Sequence, residues 1–97
     1  CEALWMGVPV VTLVGERHAA RMGLSILAAA GLERFAARTP EDYVEKAVQT
    51  ASDVSALAAL RIGLRSRILA SPLMDAPGYT TAFQSLVRDA WRTWCGV

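Results

Sequence analysis

Three consecutive side chains in the stretch "VGERHAAR" are of types that could do chemistry. Glu16 accepts hydrogen bonds, Arg17 is a permanent cation with a fork of donors, and His18 is the only histidine of the chain. A fourth, Glu2, stands near the start in "CEALWMG". The loop follows an apolar, β-branched run and opens a helix, so free backbone amides there attract anions. It also lies beyond the carboxyl end of a strand, the edge at which open α/β sheets bind ligands. Glu2, on the residues alone, is a first-turn carboxylate favoured by the helix dipole. A lone histidine at an N-terminal helical position reads as a capping or solvated group, not as a catalytic base. Arg21, one turn further on, is expected to anchor its helix through an ion pair.

Cys1 and Cys95 lie at opposite ends of the chain and resemble neither a metal-ligand pair nor a disulfide framework. Two free thiols are the expectation, as in a reducing compartment. No metal ligand set is evident.

The elements that must position these residues follow a βα rhythm that gives way to helices. Glu2 to Met6 reads as the end of a helix stopped by Gly7 and Pro9, because glycine accepts the left-handed cap and proline cannot continue the ladder. The start of that helix would lie before Cys1, which reads as a cut in a larger protein. "VPVVTLV" has the nearly unbroken apolar character of a strand covered on both faces of a parallel sheet. From His18 to Ala30 the pattern is helical, with Met22, Ile26 and Ala29 or Ala30 on one face and Gly31 as the stop. "LERFA" reads as a second short strand. Strand, crossover helix and strand make one right-handed βαβ unit. Its exposed edges invite self-association of the fragment.

Thr39 as N-cap, Pro40 at the first position and the acids Glu41 and Asp42 predict a helix over "TPEDYVEKAVQTAS". Asp53 caps the next, in which Leu57, Leu60, Leu64 and Ile68 recur at helical spacing and Pro72 marks the end. After a turn-rich linker, "SPLMDAPG", a last helix is expected from about Thr80 to Trp94. Its face of Phe83, Leu86, Val87, Ala90 and Trp94 reads as core, and Trp5, Trp91 and Trp94 read as packing anchors. The chain divides into residues 1–38, the βαβ part, and 39–97, the helices, of one partial domain.

Composition excludes several classes. With 54% hydrophobic and 20% charged residues the chain can bury a core and is not a disordered segment. Nine arginines and one lysine give a net charge of only +1 and are spread along the chain, so the basic stripe of a nucleic-acid binder is missing. No apolar run reaches the roughly 20 residues of a membrane span, and no stretch of the sequence shows a basic start followed by an apolar run and a small-residue cleavage site. A soluble, cytoplasmic domain is expected.

The order "EALWMGVPVVTLVGERHAAR", then "GLERFAA", then "LRSRILASPLMDAPGYT" and the closing "WRTWC" resembles the C-terminal end of the O-linked N-acetylglucosamine transferase family. The likeness is strongest to its bacterial members with tetratricopeptide repeats, and it covers nearly the whole chain. "GVPVV" alone occurs in many glycosyltransferases of the B fold; four landmarks in order are more specific.

The resemblance implies a two-lobed enzyme with Rossmann-like lobes, of which this chain is the last half of the C-terminal lobe followed by the terminal helices. It further implies a donor, UDP-N-acetylglucosamine, an acceptor serine or threonine on a protein, and neither metal nor cofactor. In the family a threonine-rich turn before the first helix holds the pyrophosphate, and an acidic residue one turn on accepts hydrogen bonds from the ribose hydroxyls. Glu2 matches that acidic position, although many members carry aspartate there. The loop after the strand lies near the donor sugar in B-fold enzymes. There Glu16 would meet sugar hydroxyls and Arg17 would offset diphosphate charge. The candidate donor-binding set is therefore Glu2, Glu16, Arg17 and His18, with no catalytic group in this segment. A different class also fits the residues: an autonomous helical module that binds a partner protein. So does a B-fold transferase using another UDP-sugar.

Overall fold

A computed structural model describes residues 1–97 and contains five α-helices and two very short strands. In chain order these are α1 (Glu2–Trp5), β1 (Thr12–Leu13), α2 (Met22–Ala29), β2 (Ala36–Ala37), α3 (Pro40–Ser52), α4 (Val54–Leu69) and α5 (Ala76–Cys95). Single 3-10 turns cover His18–Arg21, Glu33–Phe35 and Pro72–Met74. No helix is long and apolar enough to cross a membrane.

The parallel pairing of β1 with β2 aligns Thr12 with Ala36 and Leu13 with Ala37, and α2 is the connection between them. Both strands are shorter than the apolar runs suggest. In "VPVVTLV" only Thr12 and Leu13 are paired, because β2 is the sole neighbour; Val10 and Val11 instead pack on the core. In "LERFA" residues Glu33–Phe35 wind into a 3-10 turn that buries Phe35, and pairing begins only at Ala36. The expected helix from His18 likewise opens as a 3-10 turn and becomes α-helical at Met22. Its inner face is Leu27 and Ala30, whereas Met22 is exposed. Gly31 ends it in the left-handed region at φ +68°.

Helices α3 and α4 start as their caps dictate. The Thr39 hydroxyl accepts from the Asp42 amide at 3.1 Å, and the Asp53 carboxylate accepts from the Ala56 amide at 2.9 Å. One core joins the two parts of the chain: Leu4, Leu27, Leu32 and Phe35 from the first half meet Leu64 and Ile68 of α4.

The last helix differs most from expectation. It begins at Ala76, four residues early, because Asp75 caps it through the Gly78 amide at 2.9 Å and Pro77 fits its first turn. No residue of α5 is buried, and its main contact is the Pro72–Met74 turn. Phe83, Leu86, Val87, Trp91 and Trp94 are exposed, so the stripe read as core has no partner within this chain. Trp91 and Trp94 are not packing anchors here; Trp5, half-buried against the core, is.

Candidate functional site

The loop after β1 is held by its own backbone. The Gly15 amide donates to the Ala20 carbonyl at 3.1 Å, and the Ala20 amide donates to the Arg17 carbonyl at 3.0 Å. Gly15 is needed for this closure, since a Cβ there would stand 2.8 Å from the Ala20 methyl. Behind the loop α2 presses on β1: a Cβ at Gly23 would lie 2.9 Å from the Thr12 Cβ. Arg21 does anchor the loop, but not through an ion pair; its Nη1 donates to the Gly15 carbonyl at 3.2 Å. No carboxylate lies within 4.0 Å of it.

Glu16, Arg17 and His18 are all exposed at the carboxyl end of β1. None has a side-chain hydrogen bond or an ion pair, and His18 caps nothing. Their donors and acceptors have no fixed partner within the chain. The arrangement suits a polar ligand arriving from solvent.

Glu2 is the first residue of α1 and is also exposed and unpaired. No hydrogen bond or ion pair joins it to the Gly15–His18 loop, so the chain itself does not tie the two candidate groups together. Glu2 stands on the rim of an apolar groove of about 510 Å³ whose floor includes Trp5, Ile68, Leu73 and Met74. A second recess, of about 410 Å³, lies between the Glu33–Phe35 turn, α3 and α4 and is lined by Arg34, Lys46, Gln49 and Asp53. None of the expected residues reaches it.

Two arginines not foreseen from the sequence sit at the C-terminal end of α1. Arg65 Nε of α4 donates to the Trp5 carbonyl at 3.0 Å and Arg61 Nε donates to the Gly7 carbonyl at 3.0 Å. The Arg65 guanidinium also lies over the Trp5 ring, 5.0 Å from its centroid. Gly7 adopts φ +76°, and a Cβ there would meet the Arg61 carbonyl oxygen at 2.9 Å. The only signal available beforehand was the i, i+4 spacing of the two arginines on one helix face. Neither Cys1 nor Cys95 is bonded, and no group of three His, Cys, Asp or Glu side chains gathers into a metal site.

Residues 1–83 match the family described as Glycosyl transferase family 41. The chain is 46% identical over 95 residues to the probable UDP-N-acetylglucosamine–peptide N-acetylglucosaminyltransferase SPINDLY of Solanum lycopersicum, covering 98% of this chain and 10% of that relative. The UDP-N-acetylglucosamine–peptide N-acetylglucosaminyltransferase of Caenorhabditis elegans is 32% identical over 91 residues, 94% of this chain and 8% of the relative. Among solved structures, a mutant O-GlcNAc transferase of Thermobaculum terrenum superimposes with a TM-score of 0.84 at 40% identity, over 98% of this chain and 18% of that one. The chain thus spans about a tenth of the length of the curated relatives it matches. By the family match over residues 1–83 and these identities, the chain belongs to glycosyl transferase family 41.

Proposed function

We propose that this chain is the C-terminal part of a UDP-N-acetylglucosamine-dependent protein O-glycosyltransferase and supplies one wall of its donor site. In this reading residues 1–38 belong to a Rossmann-like lobe of the B fold and residues 39–97 are the helices that follow it. The observation that carries the proposal is the match to an O-GlcNAc transferase along 98% of the chain at 40% identity. The exposed, unpaired Glu16, Arg17 and His18 at the carboxyl end of β1 support it, because that is where α/β sheets take nucleotides.

Glu2, Glu16 and Arg17 then have binding roles, and none of the four has a catalytic one. The Glu2 carboxylate accepts hydrogen bonds from the ribose hydroxyls. Arg17 offsets diphosphate charge, and Glu16 accepts from hydroxyls of the sugar. His18 is an exposed, solvated neighbour of these two. In the reaction the bond from the sugar's anomeric carbon to UDP breaks and a bond to the acceptor serine or threonine oxygen forms. The hydroxyl proton leaves to a base outside these 97 residues, and no cofactor or metal takes part. The chain alone is then inactive.

The test is UDP titration by calorimetry on the full-length polypeptide that carries residues 1–97. Glu2→Ala is expected to weaken UDP by roughly 1–3 kcal/mol, the scale of a lost charge-assisted hydrogen bond. Unchanged affinity would remove Glu2 from the site. A second reading, a protein-interaction module, has one observation in its favour, the exposed apolar face of α5. That reading requires a full-length protein indifferent to UDP, and the same titration decides it.

A further inference from the structure

Residues Glu2–Trp5 form one turn of α-helix, α1. Its inner side is pinned by Leu4, 1% exposed in the core. Its direction is set elsewhere. The last carbonyls of any helix lack partners inside it, and they carry the negative end of the dipole. Here the carbonyls of Glu2, Ala3 and Leu4 accept from the amides of Met6, Val8 and Gly7, the Trp5 carbonyl accepts from Arg65 of α4, and the Gly7 carbonyl, two residues beyond the helix, accepts from Arg61, each arginine at 3.0 Å. Neither arginine has a carboxylate partner, and Arg65 also reaches the Met6 sulfur at 3.8 Å. The indole under Arg65 fixes the plane of the guanidinium. The 2.9 Å that would separate a Gly7 Cβ from the Arg61 carbonyl shows how closely the two backbones approach.

Glu2 stands at the other end of the same turn, about 4.5 Å along the axis from Trp5 at 1.5 Å per residue. Its side chain has no hydrogen bond to hold it. A tilt of α1 about the Leu4 contact, introduced at the Trp5 carbonyl, therefore moves the untethered Glu2 carboxylate. We infer that Arg61 and Arg65 of α4 are positioning residues for the donor site, which aim the Glu2 carboxylate at the nucleotide by clamping the carbonyl end of α1. The inference rests on the donor-site reading of Glu2 given above and adds the residues that act through it.

The experiment is a double-mutant cycle between Glu2→Ala and Arg65→Ala in the full-length polypeptide, read by UDP calorimetry and by donor kinetics. Arg65→Ala is expected to raise KM for UDP-N-acetylglucosamine about fivefold to tenfold with kcat unchanged. The double variant is expected to bind UDP no more weakly than Glu2→Ala alone, because Arg65 acts only through Glu2. A purely structural arginine would lower the melting temperature and leave the two effects additive. Arg65→Lys keeps the charge but not the planar stack. It replaces the alanine variant if that one fails to fold, with a smaller rise in KM and the same non-additivity. Additive effects, or an unchanged donor KM in a folded Arg65 variant while Glu2→Ala weakens UDP, overturn the positioning role alone. No effect of Glu2→Ala on UDP overturns the donor-site reading, and the positioning role with it.

Discussion

Helices α4 and α5 are the two longest elements, and they reverse the relation expected between pattern and burial. In α4 apolar residues occur all round: Leu64 and Ile68 are buried, while Ile62 on the outer side is 84% exposed. In α5 the division is cleaner, with Phe83, Leu86, Val87 and Trp94 gathered on one side, yet Trp94 is 85% exposed and nothing is buried. An amphipathic stripe declares that a helix has a partner surface. It does not say that the partner lies in the same 97 residues. Burial of α4 depends on Leu4, Leu27 and Leu32 being close at hand, and α5 has no such set.

Truncation tests this most severely. Leu64→Ala is expected to cost about 2–5 kcal/mol in denaturant unfolding of the 97-residue chain, as for other fully buried leucines. Leu86→Ala should stay within about 0.5 kcal/mol. Equal losses would mean that the face of α5 is covered in solution, and the contrast would break. The caps give a finer division. Asp53→Ala removes the acceptor of the Ala56 amide and should lower the stability of the whole fold by about 1 kcal/mol. Asp75→Ala removes the equivalent bond of α5 and should fray that helix, seen as lost circular dichroism, without moving the unfolding midpoint of the core. A shared midpoint shift would make the two helices one cooperative unit. The smallest effect is a gain: a Cβ at Gly63 meets nothing within 4 Å, so Gly63→Ala should stabilise α4 by about 0.5–1 kcal/mol. A loss there would reveal a contact on the outer face of α4.

Local chemistry was readable and distant contact was not. Thr39, Pro40 and Asp53 marked their helix starts correctly because a cap is decided within four residues. Asp75 and Pro77 are signals of the same kind, but among Ser71, Pro72 and Gly78 they read as linker, and the start of α5 was placed late. The strands were overdrawn because an apolar run records burial, and Val10, Val11 and Phe35 are covered by the core without being paired in a ladder. At the candidate site, the types of Glu2, Glu16, Arg17 and His18 were legible, as was the turn that presents the last three. Arg61 and Arg65 were not, since the bonds to Gly7 and Trp5 span 54 and 60 positions, and no local pattern encodes such a contact.

The unpartnered α5 also determines how the chain moves through water. A compact chain of this length has a radius of gyration of about 12.5 Å, whereas here it is 16.7 Å, within a body of 55 × 29 × 16 Å. The excess comes from mass carried far from the centre by one rod. Frictional drag on the 97 residues is therefore that of an elongated particle, with slow sedimentation for the mass. In X-ray scattering the pair-distance distribution acquires a long tail on a single-peaked head. A partner that folds α5 back would shorten that tail before any spectroscopic signal of the core changed.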